Sequence, residues 1–240
     1  MVIQVAVTKH KKTNYFMTTD EAKFLWQYSK RWSSKFQIMI GLALFRGMRI
    51  GEICACNLYD FQNSEFKKLN IIFEKSHIKD EFPILNEFNI MLKEYILKNK
   101  HTMKDGYLFP FYSSKNKSSH IHVNTAEALF SKLRRIIGKD HPSFLERTEI
   151  LTITNRTIYR YRISFHSCRR WFETQIWKKY KDKMMLRDVM RYQDSSVVDV
   201  YIDSYEIWQK EQEILQNTFG ELFDNFQSVS KGQTKLSEFV

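Results

Sequence analysis

The chain has 240 residues, 43% of them apolar, and carries 38 Lys and Arg against 27 Asp and Glu, a formal net charge of +11. That length suits one domain or a domain with an appendage, and that charge points to a polyanionic partner, with nucleic acid favoured over membrane. No apolar run of about eighteen residues is present to span a bilayer and no basic segment followed by an apolar one marks a secretory leader, so an intracellular protein with no membrane partner is expected.

Only 3 prolines and 7 glycines interrupt the sequence, which favours helices. Residues 1–16 read as a basic N-terminal arm. Thr18 or Thr19 then caps a first helix, with Asp20 and Glu21 in its first turn beside the positive dipole end. Phe36, Met39, Ile40, Ala43 and Leu44 recur at helical spacing and mark a buried helix that stops at Gly47. Cys54 and Cys56 lie on a second helix, from near Ile50 to before Asn57. With Cys168 they read as buried free thiols in a reducing compartment, because no other Cys or His pair stands at zinc-binding spacing.

Leu69 to Phe73 and Phe82 to Leu85 read as a hairpin around the polar KSHIKDE. Asn124 is expected to cap an amphipathic helix with Ala126, Leu129, Phe130, Leu133, Ile136 and Ile137 inward, ended by Gly138. Residues 139–160 read as irregular, followed by helices over 167–180, 184–191 and 196–202. A tail helix from about residue 205 places Ile207, Ile214, Leu215, Leu222, Phe223 and Phe226 on one face. The fold class expected is mainly α with a small antiparallel β-sheet.

Four segments carry candidate chemistry. GMRIGE holds Arg49 just past the buried helix, and FEKSHIKDEFPIL holds Lys75 and Lys79 on the hairpin. FHSCRRWFET holds His166, Arg169 and Arg170 at a helix start, and RYQDSSVVDVYID holds Tyr192 and Tyr201. Asp60 follows Arg49 by eleven residues, Lys75 precedes Pro83 by eight, and Tyr201 follows Arg169 by 32. In this order and at these intervals, roughly residues 17–205 resemble the catalytic domain of the tyrosine recombinase/integrase family, which includes the Xer proteins, lambda integrase and Cre. The family's G-[LM]-R-[IV]-x-E motif is matched by Gly47 to Glu52 and its H-x-x-R box by His166 and Arg169. Tyr107 to Pro110 look like its segment after the hairpin.

The resemblance implies cutting and rejoining of double-stranded DNA by four protomers, through a 3′-phosphotyrosine on Tyr201. No cofactor or metal is implied. Two planar guanidinium groups, Arg49 and Arg169, suit the extra charge on a five-coordinate phosphorus. Lys75 would protonate the leaving 5′-oxygen, with Lys79 its rival on the same hairpin. His166 would donate to a phosphate oxygen. Tyr201 would be the nucleophile, Tyr205 its rival one turn on. The sequence departs from the family at Tyr192, where a His or Trp is usual, and at Arg170, where a His or Tyr is common.

Lys79, Lys115, Lys117, Arg134, Arg135 and Arg170 are expected to contact DNA, mostly from solvated faces that bind phosphates without reading sequence. Residues 206–240 are expected to dock on a neighbouring protomer. The same residue set would also serve a type IB topoisomerase or telomere resolvase, and a degenerate relative would bind DNA without cutting it.

Overall fold

Every residue from Phe36 to Leu44 is buried in the computed structural model of the chain, and a helix apolar all round is stable only at the centre of a fold. The structure describes residues 15–62, 68–72, 79–103, 106–113, 116–151, 156–207, 209, 210 and 213. It forms two units, Met1–Asp182 and Lys183–Val240.

In the first unit α1 (Thr19–Trp32) opens on a reciprocal cap. The Glu21 N–H donates to Thr18 Oγ1 at 3.2 Å while the Thr18 N–H donates to Glu21 Oε2 at 2.8 Å. Ser33, in extended backbone, ends α1 and caps α2 (Ser34–Arg46), its Oγ accepting from the Phe36 N–H. Helix α2 contacts α1, α3 (Ile50–Ala55), α5 (Asn86–Asn99) and α7 (Phe165–Tyr180), and is the hub of the core. A short α4 (Tyr59–Gln62) precedes the first hairpin. Aromatic contacts link the elements: Trp26 with Phe45 at 4.9 Å between ring centroids, and Phe130 with Phe165 at 4.7 Å.

A hairpin is present as β1 (Lys68–Ile72) and β2 (Lys79–Pro83), antiparallel, with Ile72 opposite Lys79, its second strand opening three residues early, within the stretch read as the polar connection. Two further antiparallel pairs join it, β3 (Pro110–Ser113) with β4 (Asn116–His120) and β5 (Leu145–Leu151) with β6 (Arg156–Tyr161). The fold is thus mainly α, with its strands in three separate two-stranded sheets, and the stretch read as irregular holds the longest of them.

Helix α5 was not expected. Its buried side chains, Phe88, Leu92, Tyr95 and Ile96, are accompanied by exposed Ile90 and Leu97, and no side chain caps its start. The apolar stripe is therefore blurred and the start signal missing. Helix α6 (Val123–Asp140) is capped by His122 rather than Asn124, whose own N–H donates to His122 Nδ1 at 3.2 Å. It also runs past Gly138. That glycine is a packing site, since a Cβ there would lie 3.3 Å from the Tyr161 ring. Helix α7 starts two residues earlier than expected, with Ser164 and Ser167 capping each other. Cys54, Cys56 and Cys168 are buried and unbridged, as expected, and burial pushes the Cys168 thiol well up from its ordinary range. Among the described residues no helix is long and apolar enough to cross a membrane.

The second unit contains α8 (Lys183–Met190) and α9 (residues 195–207). Asp194 Oδ1 caps α9 by accepting the Ser196 N–H at 2.9 Å, which also holds the Asp194 carboxyl below its usual range. One helix runs through residue 205 where a new one was expected to begin; Ile214, Leu215, Leu222, Phe223 and Phe226 lie outside the described residues.

Helices α2 and α5 meet where Phe88 covers Gly41, so closely that a Cβ on Gly41 would stand 2.1 Å from Phe88 Cε2. Forcing apart two buried elements costs about 1–3 kcal/mol. Gly41→Ala is expected to lower Tm by roughly 2–4 °C for each kcal/mol lost at this chain length, measurable by calorimetry.

Candidate active site

The left-handed turn at Gly47 sets the site. With φ of 66° it ends α2, and its N–H donates to the carbonyls of Leu42 and Ala43. The chain then reverses through buried Met48 into extended Arg49, which begins α3. Glu52, in the first turn of α3, holds Arg49 twice. Its Oε2 accepts the Arg49 N–H at 2.8 Å and its Oε1 accepts from Nη1 at 3.0 Å. The Glu52 side chain is 1% exposed and that of Arg49 27%, so the carboxylate is a buried anchor and the guanidinium faces outward in part.

Arg169 lies one turn into α7 and is buried. Its Nη1 donates to the Gly47 carbonyl, and its Nε stands 3.4 Å from Glu173 Oε1 in an ion pair of two buried side chains. His166, exposed at the helix start, accepts at Nε2 from Arg170 Nε at 3.1 Å. That bond requires the ring to be neutral, with its proton on Nδ1. The Arg170 guanidinium also lies over the Phe16 ring, 5.7 Å from its centroid.

Arg49, His166 and Arg169 line one cavity of about 480 Å³, with Gly51, Glu127 and Ser164 among its other walls. The first turns of α6 and α7 border the same space through Val123, Ser164 and Phe165. Two helix N-termini, each carrying the equivalent of about half a positive charge, thus add to two guanidinium groups. The arrangement suits a tetrahedral oxyanion whose oxygens accept several N–H donors at once.

The other sequence candidates are placed as follows. Lys75 and Lys115 lie outside the described residues; Lys79 opens β2 and Lys117 lies in β4. Arg134 is not a solvated cation. Its guanidinium donates to the Ile163 carbonyl at 2.5 Å and to Ser131 Oγ at 2.6 Å, and lies over the Phe130 ring, 5.0 Å from its centroid. It ties α6 to the approach of α7, and burial lowers its pKa. Arg135, its neighbour, is exposed. Tyr192 and Tyr201 belong to the second unit. Tyr192 follows left-handed Arg191 at the end of α8, its N–H bound to the Arg187 carbonyl at 3.1 Å. Tyr201 is on α9, its ring parallel to that of Tyr205 with centroids 6.4 Å apart.

Sequence reasoning assigned no task to Glu52, Glu127 or Glu173. For two of them a signal exists, since a carboxylate three or four residues after an arginine shares its helix face.

The sequence matches the model of the phage integrase family over residues 15–206. Solved structures with a similar fold include XerA recombinase, at 16% identity and a TM-score of 0.57, with 82% of this chain and 63% of that one covered. They include XerH site-specific recombinase in a post-cleavage complex with palindromic difH, at 15% and 0.59, covering 85% and 53%. The Tn1549 transposon integrase in complex with transposon right end DNA follows at 16% and 0.59, covering 85% and 67%. Comparison with curated protein sequences gave no match. The family match spans most of the sequence, and the chain belongs to the phage integrase family.

Proposed function

We propose that the chain is a site-specific tyrosine recombinase that cleaves and rejoins double-stranded DNA one strand at a time. The observation that carries this reading is the shared cavity of Arg49, His166 and Arg169, which come from segments more than a hundred residues apart in sequence. Family membership supports it. Tyr201 gives up its phenol proton, which His166 helps to accept, its phenolate attacks the scissile phosphorus, a 3′-phosphotyrosine forms, and the bond to the 5′-oxygen breaks. That oxygen takes a proton from Lys75, or from Lys79 on the same hairpin. Arg49 and Arg169 hold the non-bridging oxygens, where negative charge grows in the transition state. His166 donates to one of the same oxygens. Tyr192, in place of the usual His or Trp, supplies at most one neutral hydrogen bond.

A phenol with a pKa near 10 needs cations beside it to react at neutral pH. The reading therefore requires Tyr201 of the second unit to meet the phosphate bound by the first. Tyr205 is the poorer candidate, since its interval to Arg169 fits the family less well and its side chain is fully buried. Lys79, Lys115, Lys117, Arg135 and Arg170 bind flanking phosphates. Residues 17–205 form the catalytic domain, preceded by a basic arm over 1–16, and residues 206–240 dock on the next protomer of a tetramer on DNA.

On nicked suicide duplexes, wild type is expected to form a denaturation-resistant protein–DNA adduct, visible as a gel shift. Tyr201→Phe should form none and Tyr205→Phe should retain it; an adduct with Tyr201→Phe would refute the assignment. Arg49→Ala and Arg169→Ala should each slow adduct formation by about 10²–10³ or more. Arg169→Ala should also destabilise the fold by about 3–5 kcal/mol in urea titration, because it breaks an ion pair of two buried side chains.

A further inference from the structure

The cavity that suits a phosphate has a carboxylate in its wall, and strand transfer as described above gives that carboxylate no task. Glu127 lies one turn into α6 and lines the same space as Arg49, His166 and Arg169. It is half-buried, and burial raises its pKa. Among the described residues no donor reaches it. Arg134, two turns along, acts on it only at a distance, its Nη1 and Nη2 being bound to the Ile163 carbonyl and Ser131 Oγ. A partly desolvated carboxylate without a partner costs stability, and beside an anion site it also repels the anion. A donor that arrives with the ligand would offset both costs.

Duplex DNA limits that donor. Phosphates and in-chain deoxyribose have none, whereas the cytosine N4 and adenine N6 amino groups donate in the major groove, and a carboxylate accepts well from cytosine N4. Asn124 and Ala128 are exposed on the same face of α6, and the N-terminal residues of a helix are those that reach base edges when it enters a groove. Other donors that the reaction brings to the phosphate, the 5′-hydroxyl released by cleavage, the lysine ammonium and the Tyr201 phenol, are the same for every sequence.

We propose that Glu127 is a specificity residue whose carboxylate accepts a hydrogen bond from the amino group of a cytosine or adenine beside the scissile phosphate. The proposal rests on the strand-transfer reading. It is tested with a library of nicked duplexes randomised at the base pairs on both sides of the scissile phosphate, sequencing the members captured covalently. Wild type should enrich cytosine or adenine at one position, about fivefold or more. Glu127→Gln and Glu127→Ala should lose or change that preference while keeping those at other positions, which also shows that the variants fold. Identical preferences in wild type and both variants, or an equal loss across all sequences, would overturn the role of Glu127 and leave strand transfer standing. No capture of any member by wild type would overturn strand transfer itself, and the specificity role with it. Glu127→Gln should also raise Tm at neutral pH; a clear fall would mean that the carboxylate serves the fold, and would overturn the proposal.

Discussion

Arg169 and Glu173 bury an ion pair whose side chains are 5% and 3% exposed, and the same guanidinium donates to a carbonyl 122 residues earlier. Taking two charges out of water costs several kcal/mol per ion, and only close geometry with further hydrogen bonds offsets it. The geometry therefore has to be fixed by everything around it. Gly47 must be left-handed for its carbonyl to end α2 where it does, α2 must be buried for that end to be immobile, and α7 must start at Ser164 for Arg169 to face it. The core and the site are one construction.

Charge is distributed around the cavity by a simple rule. Each arginine of the pair has a carboxylate of its own, Glu52 for Arg49 and Glu173 for Arg169, within a turn on the same helix. A flexible cation becomes a placed one, which costs less entropy when a phosphate arrives. Glu127 breaks the rule, having no cation committed to it, and for that reason is read as facing the ligand. Arg134 illustrates the opposite case, a cation turned inward by a carbonyl and two aromatic rings.

The legible parts were those in which local chemistry decides. Gly47 as a stop, a threonine before Asp20 and Glu21 as a start and the five apolar positions of α2 at helical spacing are short-range patterns, and so are His166 and Arg169 one turn apart. What was not legible depended on tertiary contacts. Gly138 carries a stop signal, yet it serves close packing against Tyr161 and Leu145. Helix α5 exposes Ile90 and Leu97 on the face that should be polar. The β5–β6 hairpin alternates Thr, Ile and Tyr with charged residues and has no Gly or Pro to mark its turn. That the cavity joins segments near residues 49, 127 and 166 follows only from how α3, α6 and α7 meet.

The most direct measurement is identification of the residue that carries DNA. The covalent product formed on a nicked duplex would be digested with protease and nuclease and the modified peptide sequenced by mass spectrometry. A single nucleotide 3′-phosphate esterified to Tyr201 is the result expected. Attachment to Tyr205, Tyr192 or any other side chain, or the absence of a modified peptide, would contradict it.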